Sequence, residues 1–265
     1  MKKQISDVAD LENLARRMRV IVLEMSLNCG EPTHLGGALS IIDTMSVLYG
    51  RILVDNDRFI LSKGHGVLAL YSSLFCQGKL SEKQIKSFQT NGSEFIAHPI
   101  MNLEVGIESS NGSLGQGLSM AVGIALSYKK RNIKGKIFVL IGDGECYEGS
   151  IWEAAMSAVE FNLDNLIVIV DCNGFQNDGA INEKMNSSYM LNKWKGFSWH
   201  CIKCNGHDIE SLLHAFDETH INTPKVIIAE TIKGKGVDFM ENNNDWHHNR
   251  MSKKLFDEAM DNLNK

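Results

Sequence analysis

Asp143 and Asn173 are the residues of this sequence best spaced to do chemistry together. Asp143 stands in the run Ile137-Phe-Val-Leu-Ile-Gly142-Asp143-Gly144-Glu145. Asn173 follows thirty residues later, in Val170-Asp-Cys-Asn173-Gly-Phe175. Each comes after a short, near-continuous apolar run that reads as a buried strand. In an open parallel sheet, ligands bind outside the carboxyl ends of the strands, so both residues can face one crevice. Asp, Asn and main-chain carbonyl oxygens are hard ligands, suited to Mg²⁺ or Ca²⁺ that also holds a phosphate. The flanking glycines allow a tight turn and bring main-chain N–H groups near an anion. A plain Gly-Asp-Gly turn followed by an Asn turn is the alternative without chemistry.

Two other phosphate-binding patterns fail on the local sequence. A dinucleotide fingerprint needs G-x-G-x-x-G, and Gly142-x-Gly144-x-x-Tyr147 lacks the last glycine. No segment has the G-x-x-x-x-G-K-[ST] pattern of a P-loop.

The elements that must position these residues follow from periodicity and caps. Val8, Leu11, Ala15, Met18, Val22 and Met25 are spaced three and four apart, which predicts a long amphipathic helix with a core-facing side. Residues 41–53 predict a second helix, and Ser81-Glu-Lys-Gln84 has the capping-box pattern of a short one. Residues 137–141, 166–170 and 226–229 predict buried parallel strands. Between the first two, residues 151–161 predict a helix, with Ser150-x-x-Glu153 as a second capping box. Asp208 predicts an N-cap for a helix bearing Ile209, Leu212, Leu213 and Phe216 on one side. This alternation predicts an α/β domain, a mostly parallel sheet with helices on both faces. The polar tract 241–245 is the one candidate linker.

At 265 residues the chain has the length of one compact domain. A composition of 43% hydrophobic and 22% charged residues excludes the disordered and low-complexity classes. The net charge is −5 and no Lys/Arg cluster offers a footprint for nucleic acid. No signal peptide is expected from the N-terminal residues, and no apolar run approaches the ~20 residues of a membrane span. Six scattered cysteines point to a reducing compartment. Cys201-x-x-Cys204, at the end of a predicted strand and without a second pair, is expected to be two ordinary thiols rather than a zinc or redox site. The expectation is a cytoplasmic protein with no nucleic-acid or membrane partner.

Further motifs lie in order along nearly the whole chain. They are His34-Leu-Gly-Gly-Ala-Leu-Ser, Leu61-Ser-Lys-Gly-His65-Gly and His98-Pro, then Gly112-Ser-Leu114-Gly-Gln-Gly117. Gly142-Asp-Gly then precedes Glu148-Gly, and Thr231-x-Lys-Gly-Lys-Gly-Val leads to Trp246-His247-His248. Together with the Asp143–Asn173 spacing, which is that of the thiamine diphosphate signature, this order resembles the N-terminal part of transketolase. The resemblance implies a thiamine diphosphate-binding fold of the diphosphate-binding type over residues 1–265.

It also implies roles. Asp143, Asn173 and the carbonyl of Phe175 would bind the divalent ion, Mg²⁺ or Ca²⁺. His65, the main chain of Gly144 beside Gly142, and one of His247 and His248 would contact the diphosphate. Gly112 and Leu114 would lie against the cofactor's rings. His34, His98 and the same late histidine would surround the sugar's carbonyl and hydroxyls, where His suits proton transfer near neutral pH. Glu148 and Glu153 align with family glutamates near the subunit interface that link two active sites; a solvated helix face is the plain alternative. His200, His207, His214 and His220 are expected to be surface or structural. Ser113 replaces the family's proline, which removes a fixed φ but keeps Leu114.

In this family the thiamine site lies between two domains, and the second holds the aminopyrimidine and supplies a glutamate. No second α/β domain fits in this sequence. The chain is therefore expected to be the N-terminal subunit of a split transketolase, transferring a two-carbon ketol unit between sugars or sugar phosphates. A C-terminal subunit with the pyrimidine-binding domain would be its partner, in an α₂β₂ assembly. The alternatives are a 1-deoxyxylulose-phosphate-synthase-like or decarboxylating thiamine diphosphate enzyme, or a non-catalytic binding protein with this fold. The ordered His34, His65 and His98 argue for transketolase.

Overall fold

The computed structural model describes residues 4–263. Its elements are α1 (Val8–Cys29), α2 (Leu35–Leu39), α3 (Ile42–Val47), β1 (Arg58–Leu61), α4 (Val67–Cys76), α5 (Glu82–Lys86), α6 (Gln116–Lys130), β2 (Ile137–Gly142) and α7 (Gly149–Glu160). Then come β3 (Leu166–Cys172), β4 (Phe175–Gln176), β5 (Gly179–Ala180), α8 (Ser187–Gly196), β6 (His200–Asn205), α9 (Ile209–Asp217), β7 (Lys225–Glu230) and α10 (Lys253–Leu263).

β2, β3 and β7 are buried along nearly their whole length, as their Ile/Val runs require. They form the centre of a five-stranded sheet in the order β1-β2-β3-β7-β6, parallel throughout. Side chains alternate between its faces. Phe138, Leu140, Ile167, Ile169 and Ile227 join the core under α1, α3, α4 and α9. Ile137, Val139, Ile141, Val168, Val170 and Ile228 join a second core under α6, α7 and α8. The predicted mostly parallel sheet with helices on both faces is therefore the observed architecture.

The long helix begins at its Asp7 cap and ends on Gly30 in the left-handed conformation. The helix expected at residues 41–53 is α3 continued by a π-helical turn, Leu48–Ile52. The Ser81–Gln84 capping box and the Asp208 cap both form.

The second capping box does not. Helix α7 starts at Gly149 with Glu148 at its cap position, and the Ser150 hydroxyl instead donates to the Gly115 carbonyl at 3.0 Å. A tertiary acceptor has displaced the local one. The tract 241–245 is not a linker either: the Asn242 N–H donates to the Lys233 carbonyl, and the Asn244 amide donates to the Asn177 carbonyl, both at 3.0 Å.

Cys201 and Cys204 are free thiols on β6. Their separation of three puts them on opposite faces of the strand, one packed on each core. No helix among the described residues is long and apolar enough to cross a membrane.

Candidate active site

Parallel strands bring every carboxyl end to the same edge of the sheet. Ser62 to His65 follow β1, Asp143 follows β2, Asn173 follows β3, and Thr231 to Lys233 follow β7. His34 stands at the start of α2, and loops before α6 and α10 supply His98, Gly112, Leu114, His247 and His248.

A cleft of about 380 Å³ opens there. It is lined by His34, His65, His98, Gly112, Leu114, Gly142, Asp143, Gly144, Glu148, Asn173, Phe175 and His247. Of the candidates from sequence, two stand apart from this lining: His248, exposed but with its ring 4.5 Å from that of His34, and Glu153, exposed on α7. A cleft of similar volume beside Arg58 and Glu108, at the amino end of β1, holds none of the motif residues.

Asp143 is 1% exposed. Among the described residues its carboxylate accepts from two main-chain amides, Gly144 N–H and Gly174 N–H, each at 2.7 Å. Burial, and then the neighbouring charge of Asp171, push it up to about 7. The Gly144 N–H expected to meet a phosphate is thus already donated to Asp143. Asn173 donates from Nδ2 to Asp171 Oδ2 at 2.8 Å, and its Oδ1 accepts from the Phe175 N–H at 3.0 Å.

Asp171 ties four segments together. Its Oδ2 also accepts from Lys63 Nζ at 2.5 Å and Ser40 Oγ at 2.8 Å, while its Oδ1 accepts from Thr231 Oγ1. Burial alone would raise its pKa, but Lys63 and these donors hold it below the usual carboxylate value.

Glu145 plays a similar part on the β2 side. It accepts from Ser62 Oγ at 2.5 Å, Gly115 N–H at 2.8 Å and Gly142 N–H at 3.1 Å. This fastens the loop carrying Gly112 and Leu114. Gly115 has φ +83°, and a Cβ there would come within 2.7 Å of the Glu148 Cβ, so the position requires glycine. Ser113, where the family has proline, is exposed, and Leu114 still reaches the cleft.

Two buried lysines stand at the site, Lys63 in the cleft lining and Lys233 behind His247 and Phe175. Lys63 and Lys233 are each 1% exposed. Lys233 Nζ contacts His247 Nδ1 and Asn244 Oδ1, both at 2.8 Å, and stands 5.5 Å from the Phe175 ring centre. Burial, then Lys63, brings it down to about 8. Lys63, Glu145, Asp171 and Lys233 were not singled out from the sequence. The available signal was their position at strand ends inside glycine-rich motifs.

His34 is the hub of the histidines, with ring centres of His65, His98, His247 and His248 between 4.5 and 5.7 Å away. Burial first, then the neighbouring histidines, bring His34 down to about 3. His247 falls to about 4 through burial and then Lys233. His65 and His98 are lowered too, chiefly by burial. All four are neutral at neutral pH and able to accept protons.

Because these folded values lie below the ordinary 6.5, the unfolded chain takes up protons that the fold declines as pH falls below 6.5. The stability linked to each is complete above that pH and is lost toward the folded value. Asp143 works in the opposite direction, so a paired comparison isolates the effect. Between pH 6.5 and 4, urea melts of wild type should lose stability faster than those of His34→Asn, by up to ~1.4 kcal/mol per pH unit less solvent screening. Equal slopes would contradict a neutral, half-buried His34.

The donor set fits a metal–diphosphate pair. Asp143, buried and held by main-chain amides, offers a charged oxygen to a cation, and Lys63 and Lys233 nearby bring positive charge to a bound anion. Among the described residues no three His, Cys, Asp or Glu side chains are grouped to hold a metal, so an ion at Asp143 would draw its other ligands from amide and carbonyl oxygens.

Residues 12–262 match the family described as "Transketolase, thiamine diphosphate binding domain". The chain is 36% identical over 249 residues to an apulose-4-phosphate transketolase subunit of Actinobacillus succinogenes, covering 90% of each. It is 35% identical over 267 residues to the 6-deoxy-6-sulfo-D-fructose transketolase subunit SqwG of Clostridium sp., covering 97% of each. The solved transketolase from Leishmania mexicana superposes with a TM-score of 0.87 at 26% identity, over 99% of this chain but 42% of that one. The chain thus spans nearly the whole length of the two relatives named as subunits and about two-fifths of the solved enzyme. Match, identity and cleft agree: this chain belongs to the transketolase family, as its N-terminal, thiamine diphosphate binding part.

Proposed function

We propose that this chain is the thiamine diphosphate- and metal-binding subunit of a cytoplasmic, two-chain transketolase, a single domain over residues 1–265. In this reading it moves a two-carbon ketol unit from a ketose donor to an aldose acceptor, sugars or sugar phosphates. The observation that carries it is the cleft at the strand ends, where the buried, amide-held Asp143 adjoins buried Lys63 and Lys233 beneath neutral histidines. When bound, the cofactor supplies the electron sink for carbon–carbon bond chemistry.

The chain's own residues hold and orient. Asp143, the Asn173 amide oxygen and the Phe175 carbonyl hold Mg²⁺ or Ca²⁺. Lys63 and Lys233 bring positive charge to the diphosphate, and the neutral rings of His65 and His247 donate hydrogen bonds to it. Gly112 and Leu114 form the wall against its rings. His34 and His98, as neutral bases, move protons on and off the sugar's oxygens, with His248 beside them at the rim.

The partner in this reading is a C-terminal subunit that carries the pyrimidine-binding domain, assembled α₂β₂. Subunit names among full-length relatives and the longer chain of the solved enzyme support it. So does the exposed apolar surface of Met120 on α6 and of Met156 on the adjacent α7, one turn after Glu153.

The test is ketol transfer by the purified chain with thiamine diphosphate and Mg²⁺, with and without that second chain. Transfer is expected only from the mixture. Transfer by this chain alone would sink the two-chain reading, and CO₂ among the products would make it a decarboxylating enzyme instead.

A further inference from the structure

His207 lies on the turn after β6, outside the cleft, yet its ring is fixed on both sides. Nδ1 lies 2.8 Å from Asp43 Oδ2, and Nε2 lies 2.8 Å from the main-chain nitrogen of Ile232. An amide N–H can only donate, so Nε2 is the bare acceptor and Nδ1 carries the proton to Asp43. Asp43 is itself gripped by Arg19 through both oxygens, at 2.9 and 2.5 Å. Arg19 Nε also donates to the Lys235 carbonyl at 3.3 Å. The segment between Thr231 and Lys235 is therefore held at a main-chain point on each side of Lys233. Gly206 lies so close that a Cβ there would come within 2.5 Å of the Thr231 side chain.

Lys233 carries this anchoring into the cleft. An ammonium has three donors and no acceptor. Its contact with His247 Nδ1 therefore makes that nitrogen the acceptor and leaves the proton of the neutral ring on Nε2. We infer that His207 is a positioning residue: by accepting the Ile232 N–H it holds Lys233 against His247 and so sets the tautomer of His247. The consequence for cofactor binding rests on the proposed diphosphate role of the cleft; the positioning itself does not.

The pair Asn and Gln separates the two ends of the ring. An Asn amide at 207 can reach Asp43 but not Ile232, whereas a Gln amide can bring an oxygen to the Ile232 N–H. The experiment is ¹⁵N NMR of the full chain, histidine-labelled and free of cofactor, for wild type, His207→Asn, His207→Gln and Lys233→Met. In wild type, His207 is expected as the Nδ1–H tautomer and His247 as the Nε2–H tautomer. In Lys233→Met the His247 midpoint should rise by roughly one pH unit, the effect of losing a neighbouring cation. His207→Asn should move it in the same direction, and His207→Gln should leave it at the wild-type value.

A wild-type His207 protonated on Nε2 would overturn the inference, even if neither variant folds. So would an unchanged His247 in His207→Asn, or a His247 that moves equally in His207→Gln. Calorimetry of thiamine diphosphate with the assembled wild-type complex tests the cofactor reading separately. Its failure would leave the His207 result standing.

Discussion

Asp143→Ala is expected to abolish metal-dependent binding of thiamine diphosphate by the assembled complex while the fold survives. Its carboxylate is the one charged ligand proposed for the ion, and the other oxygens around it are neutral. Losing it should weaken binding in the presence of Mg²⁺ at least about a hundredfold, or ~2.7 kcal/mol. Stability should change far less. The substitution gives up acceptors for Gly144 and Gly174 N–H, but it also removes a carboxyl that burial and Asp171 already destabilise in its charged form. Asp143→Asn, which keeps an oxygen and loses the charge, should fall between the two. Titration calorimetry with Mg²⁺ present and absent measures this. Unchanged affinity in Asp143→Ala would remove Asp143 from the metal site.

Asp171→Ala should have the largest effect on stability. Asp171 and Lys63 form an ion pair with both side chains 1% exposed. Removing one partner leaves the other as an uncompensated buried charge, which costs about 3–5 kcal/mol. Ser40, Asn173 and Thr231 lose their shared acceptor as well. Chemical denaturation should show this loss, and the double variant Lys63→Met/Asp171→Leu should recover much of it, because it removes both charges together. The double variant should still bind cofactor poorly, since Asn173 is no longer oriented. A loss under about 1 kcal/mol in Asp171→Ala, in the range of exposed pairs, would show that the pair is not the keystone of these loops.

The two substitutions differ in how visible their residues are in the sequence. Asp143 is legible because it follows an apolar strand and precedes an asparagine at a telling distance. Asp171 lies two residues before that asparagine and is equally visible as a letter, but its partner Lys63 is 108 residues away. No local pattern pairs them. Glu145 is similar: two of its donors, Ser62 and Gly115, come from other segments, and the Glu-Cys-Tyr context carries no sign of them.

Local rules held where the local partner was the best one available. The Ser81–Gln84 box and the Asp208 cap close within one helical turn. Ser150 had the same credentials, yet its hydroxyl went to the Gly115 carbonyl of a packed loop. His207, expected to be surface or structural, is structural, but its contacts with Asp43 and Ile232 span separations of 164 and 25 residues.

By itself, then, the sequence determined the class of fold, the strands at its centre and the motif residues at their carboxyl ends. These follow from periodicities of two and 3.6 and from residue types, properties that act over a few neighbours. Only the tertiary structure decided which charges are buried, which of them pair, and which histidine reaches into the cleft. Those outcomes depend on desolvation and on contacts between segments far apart in the chain, and they exist only once the parallel strands have brought their ends to one edge.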